Sequence, residues 1–218
     1  MAETPSVTTF VVGDRLPWPD DSSVSMDRGP CDPATIFLAG TRQPCTIRKI
    51  SALGVTIQTD LSPALGEKVS VELGTGQRPT GRISWTRGKE LGVKFDDHVD
   101  VVALLNRKLV SLTPDRRAMP RVEVRSPAYV KFGQGLLLAM LRNISAHGLQ
   151  LEGDELPAVG TYVSVFVDGL NIAPGEIVWR KDKLAGVEVF EELSWTSIIP
   201  WVRQLIRKNG EEAPVTPR

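Results

Sequence analysis

Two short patterns carry residue types that can do chemistry. Arg117-Ala118-Met119-Pro120-Arg121 sets two arginines four residues apart, with Arg116 before them and Arg125 after. A spacing of four puts Arg117 and Arg121 on one side of either a helix or an extended strand, and Pro120 disfavours continuous helix, so a turn or an extended segment is expected. Two guanidiniums on one side can grip phosphate bidentately and stack on a base. From Asp115 to Arg142 the basic residues Arg116, Arg117, Arg121, Arg125, Lys131 and Arg142 face only Asp115 and Glu123. The plain alternative is a solvated inter-domain linker. The second pattern is Asn143-Ile144-Ser145-Ala146-His147-Gly148. Asn offers donor and acceptor, Ser a rotatable hydroxyl, and Gly lets a ligand approach the backbone. On a strand, Asn143 and Ser145 would face the same side. Its plain alternative is a polar strand end followed by a glycine turn.

The elements that position these residues follow from an internal repeat. An offset of 94 residues brings Arg48, Ile50, Ser51, Ala52 and Gly54 onto Arg142, Ile144, Ser145, Ala146 and Gly148. The same offset sets Val69-Ser70-Val71 on Val163-Ser164-Val165, and Gly81, Ile83, Trp85, Gly92 and Val93 on Gly175, Ile177, Trp179, Gly186 and Val187. Two homologous domains are therefore expected, with a first copy over 28–112, a second over 113–210, and flexible ends at 1–27 and 211–218. Apolar residues alternate with polar ones in Val69–Leu73, Arg82–Trp85 and Gly92–Phe95 and in their counterparts, which predicts short strands joined by turns and a small antiparallel barrel. The G-x-I-x-W and G-V pairs are kept by both copies and so read as core and turn positions, with Trp85 and Trp179 in the core. Helical spacing of apolar residues predicts helices over Val99–Val110 and Ser194–Lys208, the second capped by Ser194 and stopped at Asn209-Gly210.

Composition narrows the function classes. Lys+Arg and Asp+Glu are both 26, so duplex DNA binding by bulk charge is disfavoured. The apolar run Leu136–Leu141 is far shorter than the roughly 18 residues that span a bilayer, and the N-terminus shows no secretory signal. Two cysteines, Cys31 and Cys45, and two histidines, His98 and His147, argue against a disulfide scaffold or a metal site. The expectation is a soluble, cytoplasmic protein with no cofactor, no metal, no DNA or RNA partner and no membrane insertion.

An R-x-x-x-R segment some twenty residues before N-x-S-x-x-G, followed by G-x-I-x-W and G-V strands, resembles the PilZ domain family. The resemblance covers about 117–209 with both binding motifs and about 28–110 with the barrel motifs alone. It implies a mainly β fold of two tandem six-stranded antiparallel barrels, each followed by a C-terminal α-helix. It further implies a bacterial second-messenger effector that binds cyclic di-GMP without catalysis. Carried over by position, Arg117 and Arg121 would contact the phosphates and stack on guanine. Asn143 and Ser145 would hydrogen-bond a guanine edge, and Gly148 would hold the turn open. Arg116 would reach a second, stacked nucleotide or else face solvent. Family members often have Asp at the Asn143 position; Asn is an accepted variant that keeps an acceptor and loses a charge. In the first copy Arg117, Arg121 and Asn143 fall on Ser23, Asp27 and Lys49, so that copy is read as degenerate, docking on the second domain or on a downstream protein. Ligand binding where the domains join would reorient them. Motility, exopolysaccharide and biofilm formation, adhesion and transcription all remain open as outputs.

Three other readings compete. A PilZ-like adaptor would work by protein contact alone. A single-strand-binding barrel would need more aromatic residues than the 6% present. An enzyme would need a third group beside Ser145 and His147, or a His partner for Cys45, and no such pattern is found.

Overall fold

The computed structural model describes residues 8–13, 16–17, 31–111 and 120–211. The chain is mainly β and divides into two compact units, 1–121 and 122–218.

Unit 1 contains β1 (Thr9–Val11), β2 (Asp32–Leu38), β3 (Thr41–Ser51), β4 (Gly54–Gln58), β5 (Lys68–Glu72), β6 (Thr80–Arg87), β7 (Glu90–Phe95) and α1 (Val101–Ser111). Antiparallel pairings run β2–β3–β4–β7–β6–β5 and return from β5 to β2, closing a six-stranded barrel. Closure leaves none of the six with an unpaired edge. Ile36, Ile47, Ile57, Val71, Ile83 and Val93, one from each strand, are at most 4% exposed and form the interior. Inward and outward positions alternate because strand side chains have period two.

Unit 2 contains β8 (Arg121–Phe132), β9 (Gly135–Ile144), β10 (Gly148–Glu152), β11 (Tyr162–Phe166), β12 (Gly175–Lys181), β13 (Leu184–Val189) and α2 (Trp195–Glu211). Its pairings run β8–β9–β10–β13–β12–β11, with β11 back on β8, all antiparallel. Val130, Leu141, Leu151, Val165, Ile177 and Val187 line the inside, at most 3% exposed. Each lies 94 residues beyond its counterpart in unit 1.

Both helices start one or two residues later than the periodicity suggests, because a cap sets the start. Asp100 Oδ1 accepts from Ala103 N–H at 2.9 Å, and Ser194 Oγ from Thr196 N–H at 3.2 Å. The second helix continues to Glu211, past the expected stop at Asn209-Gly210.

Two further expectations about the fold fail. Within 1–27, Thr9–Val11 is a strand that pairs in parallel with β3, and Phe10 and Val11 are 3% and 2% exposed. Composition misses it because three apolar residues flanked by polar ones carry no period, whereas tertiary burial holds them. Trp85 and Trp179 are not core. A bulge falls between Ile83 and Trp85, and another between Ile177 and Trp179. The extra residue shifts the alternation by one. Each indole consequently lies half-buried across the outer-face glycine it pairs with, Gly92 or Gly186.

Candidate functional site

Asn143 is the next-to-last residue of β9, paired with Glu123 on β8 and Gln150 on β10. Its neighbour Ile144 and that residue's partner Val122 are fully buried, so Asn143, Glu123 and Gln150 face outward together. Asn143 Nδ2–H donates to Gln150 Oε1 at 2.9 Å. That bond fixes the amide plane and leaves Asn143 Oδ1 as an acceptor. Gln150 escapes sequence reasoning, since only the cross-strand register brings it beside Asn143.

Arg121 opens β8, directly before Val122, and strand alternation gives it the outward side that Glu123 and Arg125 share. Pro120 precedes it outside any helix, as its disfavouring of continuous helix predicts. Arg116 and Arg117 lie outside the described residues. The basic excess counted over 115–142 does not concentrate at one point. Arg142 is the bulge residue between two β9–β10 pairs and forms an ion pair with Glu152. Lys131 lies ten residues up β8 from Arg121, roughly 30 Å away at 3.3 Å per residue.

Ser145 is not on the strand with Asn143; β9 ends at Ile144 and Ser145 begins the turn. Its N–H and Oγ both donate to Gly148 O, at 2.9 and 3.3 Å. Unit 1 repeats the contact, with Ser51 Oγ donating to Gly54 O at 3.3 Å. Gly148 has no positive φ. A Cβ there would lie 2.5 Å from Val187 O, and at Gly54 one would lie 2.3 Å from Val93 O. Glycine at this place lets β10 approach β13 in one unit, and β4 approach β7 in the other. Ser and Gly of N-x-S-x-x-G thus build the turn in both units, and only Asn143 distinguishes the second.

The matching face of unit 1 is covered by its own chain. Thr56, the counterpart of Gln150, donates through Oγ1 to Pro17 O at 2.7 Å. Leu16 Cδ2 lies 3.1 Å from where a Gly54 Cβ would be. Lys49 takes the place of Asn143, while Ser23 and Asp27 lie outside the described residues.

Ser145 and His147 do not pair with each other: Ser145 Oγ is engaged with Gly148, and His147 Nε2 is buried without a hydrogen-bond partner among the described residues. Burial pushes the Cys45 thiol up to about 12, against thiolate chemistry at neutral pH. Among the described residues no three His, Cys, Asp or Glu are grouped to hold a metal ion, and no helix is long and apolar enough to cross a membrane.

A search of curated proteins finds no match. Among solved structures the chain is similar to PlzA of Borreliella burgdorferi in complex with c-di-GMP, at 12% identity over 79% of this chain and 86% of that one, TM-score 0.32. It is also similar to the Bacillus subtilis inhibitor of motility MotI/DgrA, at 12% identity over 84% and 99%, TM-score 0.29. A third is Escherichia coli YcgR in complex with c-di-GMP, at 11% identity over 84% and 85%, TM-score 0.27. The model of the PilZ domain matches twice, over residues 31–113 and 115–206. With both halves of the chain matched, the protein belongs to the PilZ domain family.

Proposed function

We propose that the chain is a cytoplasmic cyclic di-GMP receptor. In this reading 28–112 and 113–210 are tandem PilZ barrels, of which the second binds the nucleotide and the first has lost that ability. One observation carries it: in the second unit Asn143 and Gln150 stand on the outward side of neighbouring strands and bond to each other, whereas the same positions in the first hold Lys49 and Thr56, the latter bonded to Pro17 O beside Leu16. Arg117 and Arg121 grip the phosphates and stack on guanine, with Arg116 available to a second nucleotide. A guanine edge presents N–H donors, which suits Asn143 Oδ1 and the lone pairs of Ser145 Oγ, whose own proton is spent on Gly148. Gly148 acts through the fold rather than by touching the ligand. Binding where the domains join orders the segment between them and changes their arrangement or their contacts with a downstream protein.

The test is titration calorimetry with cyclic di-GMP beside GMP. Saturable binding is expected with the wild type and not with the Arg117→Ala, Arg121→Ala double variant. Absence of heat at any workable concentration overturns the reading.

The adaptor reading, without nucleotide, is favoured by one observation. Leu138, Tyr129 and Phe166 are cross-strand neighbours on unit 2, exposed by 63%, 54% and 54%. Their counterparts in unit 1 are Pro44, Thr35 and Glu72, so the barrel does not need an apolar outer face there. A silent calorimeter would move the function to that face.

A further inference from the structure

Unit 1 holds a cavity of about 330 Å³ between β1, the barrel interior and α1. Its walls are mostly apolar, including Phe10, Ile47, Ile50, Leu73 and Leu104, and its polar groups are Thr8, Asp32, Thr75, Arg107 and Lys108. The volume is at the low end of small-molecule pockets, which run from roughly 300 to 1,000 Å³.

The second unit shows what fills this place when nothing else does. The helices are in register, since Val99 N–H donates to Ala52 O as Leu193 N–H does to Ala146 O, at 3.0 and 2.7 Å. Leu104 N–H likewise donates to Asp100 O as Ile198 N–H does to Ser194 O, both at 3.1 Å. Arg107 therefore stands where unit 2 has Trp201. That indole is 2% exposed, donates through Nε1 to Asp168 O at 2.9 Å and packs against Gly169. Two coordinated differences mark unit 1. The indole is absent, and an exposed arginine with no ion pair to a described residue stands at the rim. Thr75 replaces Gly169, and its Oγ1 is buried without a hydrogen-bond partner among the described residues. A buried hydroxyl left unpaired is costly, so one on the wall of a cavity calls for an acceptor from outside the chain. Lys108 is already paired with Asp32, leaving Arg107 as the cation that can meet an anion.

We propose that this cavity is a second ligand site, in the first domain, for a small aromatic carboxylate. The flat apolar body takes the place of the indole, the carboxylate meets Arg107 at the rim, and a polar atom of the ligand accepts from Thr75. A mostly apolar lining that also carries the Asp32 carboxylate does not suit a nucleotide with its several phosphate charges.

The full-length chain is titrated with indole-3-acetate and, separately, with 3-methylindole, which has the ring without the charge. One-to-one binding of indole-3-acetate is expected, at least tenfold tighter than that of 3-methylindole. Arg107→Ala brings the two affinities within about threefold of each other. Arg107→Trp restores the residue of unit 2, abolishes binding of both and raises the thermal midpoint. Thr75→Val weakens indole-3-acetate severalfold with the fold intact by circular dichroism. No saturable binding up to millimolar probe overturns the proposal. So does binding unchanged in a folded Arg107→Trp protein; should that variant not fold, affinities unchanged in both Arg107→Ala and Thr75→Val overturn it equally.

Discussion

At the scale of single residues, N-x-S-x-x-G separates into parts with different work. Ser145 and Gly148 shape the β9–β10 turn as Ser51 and Gly54 shape the β3–β4 turn, while Asn143 has no structural twin. Ser145→Ala and Ser51→Ala are each expected to cost about 1 kcal/mol in denaturant unfolding, the usual worth of one hydrogen bond. Asn143→Lys, which installs the residue of unit 1, is expected to weaken cyclic di-GMP at least tenfold in calorimetry. Its stability should stay within about 0.5 kcal/mol, because the side chain faces outward. The buried Cys45 gives a pH signature. Its thiol ionises near its ordinary value of 9.0 in the unfolded chain and at about 12 in the fold. The unfolded state therefore gives up its proton first, and this contribution to stability is full below pH 9 and is lost as pH climbs towards 12. Unfolding followed from pH 8 to 10.5 should show that decline, and Cys45→Ala should flatten it.

At the scale of elements, the bulges decide more than the strand pattern does. Alternation in Gly175-x-Ile177-x-Trp179 points Ile177 and Trp179 to the same side, and the structure separates them by one inserted residue. A Cβ on Gly186 would lie 1.9 Å from Trp179 Nε1, so Gly186→Ala must displace the indole. Destabilisation of about 1–3 kcal/mol is expected, as for other overpacked sites, with a red-shifted tryptophan emission as the readout. Strand identity was legible from β5 to β7 and from β11 to β13, where short stretches alternate apolar with polar residues. The outer-face position of the tryptophans was not legible, because a bulge is a property of two strands in register and neither one signals it alone. Asn143 was legible from its motif, but Gln150, two residues past Gly148, was not, since its role depends on which strand pairs with β9.

At the scale of the whole molecule, each unit has a core of its own, Ile57 and Leu151 being fully buried members of the two. Ile57→Ala is expected to cost about 2–5 kcal/mol and to lower unfolding of the first unit while leaving cyclic di-GMP affinity unchanged in calorimetry. Ligand at a hundred times its dissociation constant should stabilise the second unit by about 2.7 kcal/mol, read as a shift of one transition and not the other. If binding reorients the domains, solution-scattering profiles with and without nucleotide will differ; superimposable profiles exclude that mechanism.

The sequence by itself determined the duplication, the family and the asymmetry of charge chemistry between the copies. These depend on residue identity at fixed spacing, and a 94-residue offset exposes them without any coordinates. Only the tertiary structure decided which motif residues shape a turn and which face outward, that Leu16-Pro17 covers the first unit's face, and that Arg107 stands over a cavity where Trp201 fills its counterpart. Each of those facts is a contact between residues far apart in the chain. Their distances are set by strand register and helix packing, and no local pattern records them.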